Sequence, residues 1–221
     1  MPPATQVTIV RHGESRWNLA KRLQGQLDDD NGLSETGRAQ ARAIAARFAS
    51  RAFDALYSSD LSRAMETARE IAARSGREAV ADGRLRERHF GLFQGLTWAQ
   101  IEAQYPAELA LHRAAGCDYV IPGGESMRQA FDRIVACFAD LAARHPGGSI
   151  VVVSHVGALE AMLKHTLDIP CEAPRRFKLW NASVSLFTHE AGRWSLATWG
   201  DVSHLEGIGT RDYVEQVPSA D

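Results

Sequence analysis

Two short runs in this chain end alike, and that repetition constrains the fold more than any other feature. Residues 7–10 are all β-branched and stop at Arg11-His12-Gly13; residues 150–153 are all β-branched and stop at Ser154-His155. Such runs read as buried strands whose polar residues appear only where the strand leaves the sheet. Ligands of α/β sheets gather at the carboxyl ends of the strands. If the two strands are parallel neighbours, His12 and His155 meet in one crevice. A neutral imidazole can attack phosphorus and form a covalent phosphoenzyme, while fixed guanidinium groups hold the phosphate oxygens. Arg11 and Arg63 are placed for that second task.

The remaining pattern supplies helices between strands. Ser34 precedes an apolar stripe of Ala41, Ile44, Ala45 and Phe48, which predicts a helix beginning at Glu35. Residues 55–57 read as a strand. Leu61, Met65, Ala68 and Ile71 form another helical stripe that Gly76 stops, with Arg63 in its first turn. Residues 125–144 predict a long helix broken by His145-Pro146-Gly147-Gly148. Residues 184–187 and 194–197 flank His189-Glu190-Ala191-Gly192 as a hairpin. The expected architecture is a three-layer α/β sandwich: a mixed, mostly parallel sheet with helices on both faces. No linker divides the chain, so residues 1–221 read as one domain.

Charge and cysteine usage exclude several function classes. The formal net charge is −2 and the basic residues are dispersed, so no nucleic-acid or membrane partner is expected. Cys117, Cys137 and Cys171 are odd in number, widely spaced and without a CxxC pair, against both a disulfide framework and a thiolate metal site. A reducing cytoplasm fits that usage. The start of the chain has no basic, apolar leader and no run spans a membrane, so neither export nor anchoring is expected. No histidine pair with a helpful carboxylate suggests zinc, and no Gly-x4-Gly-Lys-Ser/Thr loop, Cys-x5-Arg or Gly-x-Ser-x-Gly motif is present. Neither metal nor cofactor is expected.

The segment Thr8-Ile9-Val10-Arg11-His12-Gly13-Glu14-Ser15-Arg16-Trp17-Asn18 resembles the opening motif of the histidine phosphatase superfamily, which includes the cofactor-dependent phosphoglycerate mutases. The likeness continues in order through Leu23-Gln24-Gly25, Leu33-Ser34-Glu35-Thr36-Gly37-Arg38, Ser58-Ser59-Asp60-Leu61-Ser62-Arg63, Glu87-Arg88-His89-Phe90-Gly91, Pro122-Gly123-Gly124-Glu125-Ser126, Val153-Ser154-His155 and Asn181-Ala182-Ser183. It covers nearly the whole chain.

That resemblance implies a phosphoglycerate mutase-like fold in which His12 is the nucleophile and Arg11, Arg63 and His155 enclose the phosphate. It implies that Asn18 and Gln24 reach the phosphate or its bridging oxygen, and that Glu87 is the proton donor. Val156 stands where many relatives have glycine, and its backbone amide is a further candidate phosphate contact. Ser15 replaces a frequent threonine and keeps the hydroxyl. Hydrolysis of a small phosphorylated metabolite is the favoured activity, because the stretch from Phe90 to Gly123 is shorter than the insertion that covers substrate in the mutases. A mutase and a non-catalytic phosphate-binding module stay open as alternatives, as does a homodimer. The segment 97–121 is the candidate substrate-facing cap. His112, His145, His165, His189 and His204 are read as surface or packing residues.

Overall fold

A computed structural model describes residues 3–29 and 31–210; the outermost ends of the proposed 1–221 domain lie outside that range. Strand β1 (Thr5–Arg11) sits near the centre of a six-stranded sheet. It pairs in parallel with β4 (Ser149–Ser154), with Arg11 opposite Ser154. On its far side β4 pairs in parallel with β2 (Ala55–Ser58), which pairs with the edge strand β3 (Ala79–Ala81). The hairpin β5 (Val184–Glu190) and β6 (Arg193–Asp201) adds antiparallel strands beside β1, giving the order β3-β2-β4-β1-β5-β6.

The uninterrupted β-branched runs are explained by burial on both faces. Val7, Ile9, Ile150 and Val152 pack under α6 (Met127–Arg144) and α7 (Val156–Thr166). Val10, Val151 and Val153 pack under α2 (Glu35–Phe48) and α3 (Ser62–Ser75). A strand that alternates between two cores has no polar face to show, so hydrophobic periodicity vanishes and only length and β-branching identify it. The expected three layers are present.

Several elements differ in detail from the sequence reading. The long helix starts at Met127 rather than Glu125, because Ser126 caps it in a reciprocal box with Gln129. The hairpin turn shrinks to Ala191 and Gly192, both at positive φ (48° and 79°), as a two-residue turn matched to strand twist requires. Helix α7 had no legible period: it is buried around most of its circumference, and His155 at its N-cap makes no capping bond. The short α1 (Arg16–Leu19) was also not anticipated. The segment 97–121 folds as α4 (Trp98–Gln104), α5 (Pro106–Ala114) and a 3₁₀ turn. These pack around their own small core of Phe93, Ile101, Leu109 and Ile121, to which Tyr105 belongs.

The loop that follows β1 is pressed against the start of α2. A Cβ built on Gly37 would lie 1.9 Å from the Glu14 carbonyl oxygen, and one on Gly13 would lie 2.6 Å from the Gly37 carbonyl oxygen. Both obstacles are backbone and cannot swing aside. Gly37→Ala is therefore expected to cost about 1–3 kcal/mol of stability or more. An unchanged denaturation midpoint in urea would show that the loop yields more freely than this packing implies.

Candidate functional site

The parallel register carries directly into the site. One residue past Arg11 and Ser154, His12 and His155 face each other with ring centroids 5.1 Å apart, tilted by 58°. His12 Nδ1 lies 2.7 Å from the Gly13 carbonyl oxygen. A carbonyl only accepts, so Nδ1 carries the hydrogen and the lone pair is left on Nε2. His12 lines a cavity of about 490 Å³ together with Arg11, Arg63, Asn18, Gln24 and Glu87. His155 stands against His12, fully buried, with Nε2 2.8 Å from the Ser59 hydroxyl. Its Nδ1 has no hydrogen-bond partner among the described residues.

Both guanidinium groups are buried, at 1% exposure each. Arg11 donates to the Leu179 carbonyl. Arg63 donates through Nη2 to the Gly25 carbonyl at 2.8 Å, while its Nε and Nη1 have no partner among the described residues. Burial pulls Arg63 down to about 10, with Glu87 and Asp28 pulling it back up, so it remains a cation at neutral pH. A buried cation with unused donors is suited to an anion.

Burial is also the first cause that holds His12 well below its ordinary 6.5, followed by the charges of Arg63 and Arg11; the Gly13 contact works against them. His155 is lowered in the same direction by burial, then by Arg63, His12, Arg11 and Arg133. The pair is neutral at pH 7. An unfolded chain would bind protons at these sites below about pH 6.5 while the native state would not, so stability falls as pH drops from there. The expected slope is about 1.4 kcal/mol per pH unit for each histidine. Urea titrations between pH 7.5 and 5 test it; stability flat across that window would mean the histidines are not held neutral.

Glu87 hangs beside this cluster on a segment gripped from several sides. Its Oε1 accepts from the Arg88 amide at 2.8 Å and its Oε2 from the Gly157 amide at 3.1 Å. Arg133 of α6 donates Nη1 to the carbonyls of Arg84 and Arg86 at 2.7 and 3.0 Å, and Ser154 donates to Leu85 at 2.7 Å. Glu125, displaced from the helix, anchors Arg133 at 2.6 Å.

Among the other expected contacts, Asn18 serves two purposes. Its Oδ1 accepts from the Ser15 amide, the Ser15 hydroxyl and Asn181 Nδ2, so the group able to reach the cavity is its amide nitrogen. Gln24 is held through its Oε1, which accepts from Asn31 and shares the one Ser15 hydroxyl hydrogen with Asn18 Oδ1. Val156 opens α7 and lines the cavity, but it is the next amide, Gly157, that is engaged, and by Glu87.

Four contributors were not assigned a part from sequence. Ser59 orients His155, Asn181 donates to the His12 carbonyl at 3.2 Å, and Arg133 clamps the Glu87 segment. His112, read as surface or packing, lines the cavity from α5 and is pulled down to about 4 by burial, Arg88 and Arg113. Trp98 lines it as well. Ser59 and Asn181 sat inside the motif stretches without an assigned part, and Arg133 and His112 stood outside them, since each acts through a contact distant in sequence.

Comparison with known proteins follows the same outline. A profile of the histidine phosphatase superfamily (branch 1) matches residues 7–202. A phosphoglycerate mutase-like protein 4 of Arabidopsis thaliana is 37% identical over 208 residues, covering 92% of this chain and 88% of that protein. A metal-independent phosphoserine phosphatase of the same plant is 38% identical over 208 residues, covering 93% and 85%. The solved structure of a mycobacterial glucosyl-3-phosphoglycerate phosphatase superposes with a TM-score of 0.78 at 35% identity, covering 89% of this chain and 99% of that one.

Proposed function

The chain belongs to the histidine phosphatase superfamily, and on that premise we propose that it hydrolyses a small phosphomonoester by way of a phosphohistidine on His12. The observation that carries this reading is the state of His12: neutral, with Nδ1 committed to a carbonyl and Nε2 left to attack, beside two buried guanidiniums.

In the first step Nε2 attacks phosphorus in line, and the bond to the leaving oxygen breaks as Glu87 protonates it. Arg11, Arg63 and the amide of Asn18 hold the equatorial oxygens, and His155 adds a donor through its Nδ1; each such preorganised donor contributes about 3 kcal/mol. In the second step Glu87 takes a proton from water, which attacks the phosphohistidine and releases phosphate. The positive charge comes from the two guanidiniums, so the reaction is assigned no metal, and activity should survive exhaustive chelation. Relatives named as phosphatases, one of them metal-independent, support this choice. The segment 97–121 is assigned to the leaving group, since it brings Trp98 and His112 to the cavity. The free cysteines fit a reducing compartment, and we assign the protein to the cytoplasm. No helix among the described residues is long and apolar enough to cross a membrane.

The second reading, suggested by the mutase-like relative, returns the phosphoryl group to another hydroxyl of the bound substrate. Phosphate release from phosphoserine, sugar phosphates and a glycosylated phosphoglycerate, assayed beside primed 3- to 2-phosphoglycerate interconversion, separates the two. Hydrolysis should dominate; isomerisation much faster than hydrolysis would reverse the assignment.

A further inference from the structure

The cavity that holds His12 is far larger than a phosphate, and its surplus lies along two helices. Met127, Ala130, Phe131 and Ile134 of α6 line it. Their offsets of three, four and seven put them on one face of the helix, over about 10 Å. Helix α7 packs beside α6 on the same side of the sheet, and its wall of the cavity runs from Val156 through Ala161 to Lys164, about 12 Å. Ala130 and Ala161 stand where longer side chains would fill the space. This trough begins at the chemistry. Glu87 Oε2 accepts from the Gly157 amide in the first turn of α7 at 3.1 Å, so an alcohol that takes its proton from Glu87 leaves at that end, and what it carries lies along the helices.

Resting on the hydrolase reading for the place of the leaving oxygen, we propose that the trough is a leaving-group subsite that selects phosphomonoesters of an extended alcohol with an apolar body, alkyl or aryl, over compact phosphorylated acids. A cavity of about 490 Å³ has the size of sites that enclose a whole drug-sized molecule. Phosphoserine is too short to follow the stripes past the first turn of α7. The charge at the far end is already satisfied: Lys164 has three hydrogens, and its Nζ meets the carbonyls of Cys171 and Ala173 at 2.8 Å each and the Glu160 carboxylate at 2.9 Å. Lys21, Arg22, Arg88 and Arg175 reach the cavity from loops and not from either helix, and Arg88 lies over the Phe90 ring at 5.2 Å. Along the helices a ligand therefore meets mainly methyl, methylene and ring surface, and each methylene it buries there adds to binding.

The test is calorimetric binding of n-alkylphosphonates, which carry the phosphoryl group but cannot be hydrolysed, to the full chain, from ethyl to octyl and below micelle formation. Affinity should rise about three- to fourfold per methylene until the trough is full, and octylphosphonate should bind more than about tenfold tighter than phosphonoacetate, a compact acid. Ala130→Leu, and separately Ala161→Leu, narrows the trough and should flatten the series, with a loss at octyl about tenfold larger than the loss at ethyl. Affinity independent of chain length, tighter binding of phosphonoacetate than of octylphosphonate, or a slope untouched by both leucines would each overturn the subsite. Nothing is turned over in these measurements, so they stand apart from the reaction. A rising series in a chain that hydrolyses no ester would remove the phosphohistidine mechanism and keep the subsite; hydrolysis with a flat series would do the reverse.

Discussion

His12→Ala will lower turnover by at least about 10⁴-fold, the scale on which loss of a covalent nucleophile is felt. No neighbour can take over. The other imidazole, His155, is fully buried and has its Nε2 occupied by Ser59. The variant should keep its fold, because the side chain of His12 faces the cavity and, among the described residues, hydrogen-bonds only to the adjacent Gly13 carbonyl, while its backbone bonds survive the substitution. Rapid mixing with a ³²P-labelled ester should trap an acid-labile, base-stable phosphoprotein in the native enzyme and none in the variant. Label that persists in His12→Ala would move the covalent step to another residue and undo the mechanism.

Glu87→Gln is expected to reduce kcat/KM by about 10²–10⁴-fold for an alkyl phosphate, the usual contribution of a positioned acid. With p-nitrophenyl phosphate the loss should be far smaller, because that leaving group departs without a proton. This leaving-group dependence distinguishes proton donation from simple positioning, which would depress both substrates equally. A companion variant reaches the same carboxylate from behind. A Cβ on Gly157 would lie 2.1 Å from Glu87 Oε1, so Gly157→Ala must push the acid off its two amide donors and should reproduce the same signature. Equal losses with both substrates in either variant would remove Glu87 from the acid role.

How much of this was legible in the sequence depended on distance along the chain. Strand ends were readable, because burial on both faces leaves only β-branched residues until the polar exit, and this located His12 and His155. Helices α2, α3 and α6 were readable from a single apolar stripe. Helix α7 was not, since a helix buried on most sides has no stripe. The partners that orient the reacting groups were equally hidden. Nothing in the text around Ser59 says that it meets His155, or around Arg133 that it holds the carbonyls of Arg84 and Arg86. The resemblance supplied the positions of Glu87, Asn18 and Gln24, but not that Asn18 uses its oxygen to cap α1, nor that His112 reaches the cavity.

The strand order carries one last implication, for the history of the molecule rather than its chemistry. β4 is the last parallel strand to be synthesised, yet it lies between β1 and β2. Until it slots in, the two older strands have no shared neighbour and the imidazoles have no common floor. Closing so distant a pairing is slow for a chain. Recovery of activity on dilution from denaturant will therefore track the final insertion, and a nascent or truncated product lacking that strand will be inert, however well its first half has collapsed.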